Sequence, residues 1–113
     1  MTTNALFLVL NKTEYLDDIL DLFLEVGVKG ATIVDSQGMG RAIGESDHIF
    51  GSIRNLLDGS RPYNKTIFTV IENENVLNEA IKGVQRILGD ISDPGVGMMF
   101  TLPIGNVFGM ARD

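Results

Sequence analysis

The sequence contains no cysteine, a single histidine and no block of basic residues, and each lack removes a class of chemistry. Without cysteine there are no disulfides, no thiolate nucleophile and no Cys-ligated zinc, a composition that fits the reducing cytosol. The one histidine, His48, has no second strong base candidate beside it. A nucleophilic triad is therefore not offered, and His48 reads as a surface or packing residue. Lys and Arg number 9 against 15 Asp and Glu, a net charge of −6, so the chain does not read as a binder of nucleic-acid phosphates. The apolar run Ala5–Leu10 is too short to span a membrane and lacks the basic flank of a signal peptide. The expectation is a soluble cytoplasmic protein with no membrane insertion.

What is present is a folded domain. At 113 residues and 44% hydrophobic composition, the chain reads as one domain over 1–113, of a size that often gains stability by oligomerising. Ala5–Leu10 has the length and continuity of a strand buried on both faces or at a subunit interface. Leu16, Ile19, Leu20, Phe23 and Leu24 recur at helical spacing and predict a helix over 14–26, capped by Thr13 and ended at Gly27. The segment 30–37, GATIVDSQ, alternates as a strand. Residues 46–59 carry Ile49, Phe50, Ile53, Leu56 and Leu57 at helical spacing, within a glycine-punctuated insert over 38–64. A strand at 65–72, a helix at 73–89 and a strand at 98–104 follow, the last ended or edged by Pro103. The order βαββαβ predicts an α+β, ferredoxin-like fold: an antiparallel sheet, two helices on one face, and the insert as a long loop between strands 2 and 3.

Few residues carry reactive chemistry. Asp17, Asp21 and Glu25 lie four apart on one helical face, and Asp90 and Asp93 share a loop. Both read as solvated acidic groups rather than metal sites, since hard cations usually draw ligands from loops rich in oxygen donors. The stretch Gly38-Met39-Gly40-Arg41-Ala42-Ile43-Gly44 resembles a dinucleotide fingerprint but has one residue too many before its last glycine. It also follows a second strand rather than opening a parallel βαβ unit, so a Rossmann reading is rejected.

The element order, the acidic first helix ending in EVGVKG, and the strand ATIVDSQGMGR together resemble the PII family of nitrogen-regulatory signal proteins. The resemblance resumes at the third strand and runs through GVGMMF, leaving the central insert and the tail unmatched. It implies a homotrimer of ferredoxin-like subunits that binds ATP or ADP in clefts between subunits. It also implies that the loop after strand 2 engages partner proteins. Thr32, Gly38, Gly40 and Arg41 agree with one side of that cleft, and Gly95 and Gly97 with the facing loop. The family's aspartate and lysine in that loop are here Val96 and Met98, and its C-terminal arginine pair is absent. The glutamine and lysine that follow the motif arginine are Ala42 and Ile43. A 2-oxoglutarate site with magnesium is therefore not expected. A ligand less charged than ATP is expected: an adenine-containing monophosphate, a cyclic dinucleotide or a metabolite would each need fewer cations.

The insert residues Ile49, Phe50, Ile53 and Leu57 form the candidate partner-binding surface, or fold back on the chain's own assembly. Tyr63, near the insert's end, reads as packing. Three functions are then in play. The first is a non-enzymatic PII-like trimeric sensor that binds a small molecule, an adenine nucleotide among the candidates, and signals through 41–64. The second is a CutA-like ferredoxin-fold trimer acting as a metal-responsive or structural scaffold. The third is a small enzyme using Asp35 or Asp90 in an apolar pocket between subunits.

Overall fold

In the computed structural model, residues 3–39, 63–89 and 95–110 are described. Strand β1 spans Asn4–Leu10, helix α1 Leu16–Val26, strand β2 Thr32–Gln37, strand β3 Tyr63–Ile71, helix α2 Glu74–Leu88 and strand β4 Gly97–Pro103. The sheet order is β2-β3-β1-β4, with every neighbouring pair antiparallel. This is the expected ferredoxin-like arrangement. Among the described residues no helix is long and apolar enough to cross a membrane.

The register follows from side-chain alternation. Leu6, Leu8 and Leu10 point to one face and are essentially inaccessible to solvent, joined by Ile67 and Ile71 of β3. Above them sit Ile19, Leu22 and Phe23 of α1 and Leu77, Ala80, Val84 and Leu88 of α2. Those spacings put each set along one helical stripe. Gly83 lets the helices approach closely, because a methyl group there would collide with the Leu22 side chain.

The helix ends differ from expectation in one instructive place. Thr13 does not cap α1. It opens a short 3-10 turn, Thr13–Tyr15, and the helix starts at Leu16 with no side-chain cap. The turn supplies backbone partners instead, with the Tyr15 N–H donating to the Lys12 carbonyl at 3.1 Å. Gly27 closes α1 in the left-handed conformation at φ 101°, as a C-terminal glycine does. α2 is capped conventionally. The Asn73 side chain accepts from the N–H groups of Asn75 and Val76 at 2.8 and 3.2 Å.

The strand boundaries also shift. β3 begins at Tyr63, so the hairpin reaches two residues into the predicted insert, pairing Gln37 with Tyr63 and Ser36 with Asn64. Tyr63 is 59% exposed, which corrects its reading as a packing residue. It lies at the end of an edge hairpin that neither helix covers. Pro103 is the last residue of β4, an edge strand, where its missing N–H costs no ladder bond.

The second face of the sheet is apolar and uncovered by either helix. Phe7 stacks on Phe68 at a centroid distance of 5.5 Å and on Phe100 at 5.0 Å, forming one row across β3, β1 and β4. Val34, Met98, Phe100 and Leu102 on this face are each more than a third exposed.

Gly97 ties β4 to β1. At φ 157° it sits so close to the neighbouring strand that an added Cβ would fall 2.5 Å from the Val9 carbonyl oxygen. Backbone cannot yield as a flexible side chain does, so Gly97→Ala is expected to destabilise the fold by about 1–3 kcal/mol. Gly105→Ala, where a Cβ would meet nothing within 4 Å, should be neutral. Urea denaturation of the two variants tests this, and an unchanged Gly97→Ala midpoint would contradict the close approach.

Candidate functional site

Antiparallel pairing brings four chain segments to one end of the sheet. β2 ends at Gln37 with Gly38 next, β3 starts there, β1 ends there at Leu10, and β4 starts there at Gly97 opposite Leu10. Gly38 and the Gly95–Gly97 turn therefore stand at the same end, on the outer strands. Three inter-strand spacings separate them, on the order of 14 Å.

The turn before β4 directs its side chains in opposite ways. Val96 points into the hydrophobic core and is 4% exposed. Its carbonyl accepts from the N–H groups of Asn11 and Lys12 at 3.1 and 3.4 Å. Met98 lies on the uncovered face at 57% exposure. At the two positions where the PII pattern has an aspartate and a lysine, this chain presents a core side chain and an exposed thioether. What the turn offers a ligand is backbone, with glycine on either side of Val96.

Between the two glycine turns runs a neutral polar floor. The Ser36 hydroxyl donates to Asn64 Oδ1 and lies 2.8 Å from Thr66 Oγ1. Asn64 Nδ2 donates to Asn11 Oδ1 at 3.2 Å. Asn64 is 8% exposed, and a Cβ on Gly38 would come within 4.0 Å of its amide nitrogen. A buried amide with both halves engaged is costly to disrupt, because either half left unpaired carries a desolvation penalty of roughly 1–3 kcal/mol. On the other face, Lys65 and Asp35 form a cross-strand ion pair. Asp35 is 84% exposed in the single chain.

Of the sequence-predicted site residues, Gly38, Gly95 and Gly97 lie at this same end, Gly38 on one edge of the sheet and the other two at the opposite edge. Thr32 does not. It opens β2 and faces the uncovered side opposite Phe68, six residues from Gly38. At about 3.3 Å per residue that is roughly 20 Å away. Gly40, Arg41, Ile49, Phe50, Ile53 and Leu57 lie outside the described residues, as do His48, Asp90 and Asp93. Among the described residues no group of three or more His, Asp or Glu is placed to hold a metal ion.

Asn11, Ser36, Asn64 and Thr66 were not legible as site residues. Asn64 follows Arg-Pro-Tyr and reads as part of a turn. The available signal was alternation: Ser36 shares a strand face with Thr32 and Val34, and Asn64 shares one with Thr66 and Phe68.

The family description "Nitrogen regulatory protein P-II" matches residues 6–112. No curated protein matches the chain. Among solved structures, the chain is similar to Bacillus subtilis GlnK in complex with ATP, at 14% identity and a TM-score of 0.63, covering 94% of this chain and 87% of that one. It is similar to Arabidopsis thaliana PII bound to citrate, at 16% identity and a TM-score of 0.61, covering 91% and 78%. It is also similar to CPII from Thiomonas intermedia bound to ADP and bicarbonate, at 19% identity and a TM-score of 0.55, covering 92% and 87%. These likenesses establish a shared fold.

The inward placement of Val96 has a direct consequence. Val96→Asp would bury a carboxylate in the core and should cost about 3 kcal/mol or more. Met98→Lys, at an exposed position, should change stability by about 0.5 kcal/mol or less. Equilibrium unfolding of both variants checks the pair, and the opposite ranking would contradict the geometry.

Proposed function

The chain belongs to the nitrogen regulatory protein P-II family, and from that membership we propose that it is a cytoplasmic, trimeric regulatory protein that senses a small molecule. In this reading the ligand sits in clefts between copies and is held by Thr32, Gly38, Gly40, Arg41, Gly95 and Gly97. The response passes to a partner protein through 41–64, with Ile49, Phe50, Ile53 and Leu57 as the contact surface. The chain acts by binding rather than by catalysis, over a single domain of 1–113.

One observation carries the reading. Gly38 and the Gly95–Gly97 turn stand at the same end of the sheet, on its two edge strands, while Thr32 stands at the far end of β2. Three of the four described residues share one end of the sheet and the fourth lies at the other end within one chain. A second copy bringing its own Thr32 to the glycine end completes the set. The uncovered Phe7–Phe68–Phe100 row favours such an assembly, because contiguous exposed apolar surface of this kind marks an interface.

Ligand chemistry follows from charge. Relatives of this fold are seen with ATP and with ADP. Here Met98 replaces a cation and Val96 is withdrawn into the core, so multiple phosphate charges would go uncompensated. An adenine-containing ligand with fewer charges fits better. The ligand shifts the 41–64 segment only to the extent that it contacts the segment's alternative arrangements differently.

Calorimetric titration with ATP, ADP, AMP, cyclic dinucleotides and 2-oxoglutarate plus magnesium tests the proposal. A less-charged adenine ligand should outbind ATP, 2-oxoglutarate should give no heat, and Arg41→Ala should abolish binding. Met98→Lys should raise ATP affinity about tenfold or more, the worth of one charge-assisted hydrogen bond. A response to divalent metal alone, with none to any nucleotide, would overturn the sensor reading in favour of a metal-responsive scaffold.

A further inference from the structure

The floor between the glycine turns does more than fill space. It forms a continuous hydrogen-bonded path across all four strands. From β2, Ser36 donates to Asn64 Oδ1. From β3, Asn64 Nδ2 donates to Asn11 Oδ1 at 3.2 Å. At the end of β1, the backbone N–H of Asn11 donates to the Val96 carbonyl at 3.1 Å, one residue before β4 begins. Gly38 lies two residues beyond Ser36 at one end of the path, where an added Cβ would come 4.0 Å from the Asn64 amide nitrogen, and Gly97 follows Val96 at the other.

Asn64 is the residue that fits this position. A carboxamide carries an acceptor and donors on one rigid plane, so a single side chain can accept from β2 while donating toward β1. A serine could not reach both, and an aspartate would lack the donor. Burial sharpens the effect. At 8% exposure the amide has little water to fall back on, so loss of one partner is not readily replaced by solvent. A shift of either glycine turn must therefore be taken up along the path or break a buried hydrogen bond.

We infer that Asn64 is a positioning residue of the ligand site, whose amide, through Asn11, sets the turn after β2 and the turn before β4 in register with each other. The inference rests on the reading of those two turns as ligand-binding walls. Its consequence is reciprocal: a change imposed at β2 is felt at the start of β4, and the reverse. It also assigns a role to Asn11, which ties the path to β4 through its backbone and to β3 through its side chain.

The test uses the full chain and amide NMR spectra of four proteins: wild type, Ser36→Ala, Asn11→Ala and the double variant. Two strands, β3 and β1, lie between Ser36 and Gly97, so Ser36 has no direct contact with Gly97. In the wild-type background, Ser36→Ala should displace the amide signals of Asn11 and Gly97. In the Asn11→Ala background, where the backbone bond to Val96 remains but the side-chain link is cut, the same replacement should leave Gly97 unmoved. A Gly97 signal that ignores Ser36→Ala in wild type, or responds equally in both backgrounds, overturns the inference. A purely structural role for Asn11 would shift Gly97 without abolishing its response to Ser36.

Titration with ADP gives the second arm. Asn11→Ala should weaken ADP binding about threefold to tenfold while unfolding stays cooperative. Unchanged ADP affinity in Asn11→Ala would overturn the assigned positioning role. If wild type fails to bind any adenine nucleotide yet shows the Ser36-to-Gly97 response, the ligand reading falls and the tie between the turns stands.

Discussion

Two helices can cover only one face of a four-stranded sheet, and the chain depends on what becomes of the other. The covered face is an ordinary core, built from Leu6, Leu8, Leu10 and Ile67 beneath the stripes of both helices. The opposite face carries a stacked row of three phenylalanines, flanked by Val34, Met98 and Leu102. Burying a large apolar side chain is worth roughly 1.5–3 kcal/mol, so several left in water forgo a sizeable share of the stability a domain of this size has. Self-association that closes this face recovers it.

The turn before β4 keeps its two glycines, Gly95 and Gly97, while the residues beside them carry no charge. The mechanism is a choice of direction. Gly97 must hug β1, which fixes the turn so that Val96 enters the core and Met98 faces outward. A side chain committed to the core cannot address a ligand, and a thioether cannot neutralise one. In place of charge the floor supplies amides and hydroxyls, whose hydrogen bonds hold position. In the proposed site such groups recognise shape and neutral polarity rather than clamp a triphosphate.

Much of this was legible in the sequence because it is local. Period-two alternation and 3.6-residue stripes gave every described strand and helix within a few residues, and the glycines of GVGMMF marked the turn before β4. The misses arose where tertiary context decides. Thr13 has the chemistry of a cap, but the backbone tightens into a 3-10 turn first and makes the cap redundant. Tyr63 looked like packing, but hairpin pairing carries it beyond the reach of the helices. Val96 declared a lost charge, whereas its burial depended on a neighbour across the sheet. The Asn11–Asn64 bond joins residues 53 apart in sequence, which no local pattern can announce.

Assembly through the uncovered face is the claim on which the rest stands, and the mass of the protein in solution tests it most directly. Light scattering on the ligand-free chain should give three times the 12.3 kDa protomer, and Phe100→Asp, which places a charge in the stacked row, should lower it to that of a single folded chain. A wild-type chain that stays monomeric and folded at micromolar concentration would contradict the account.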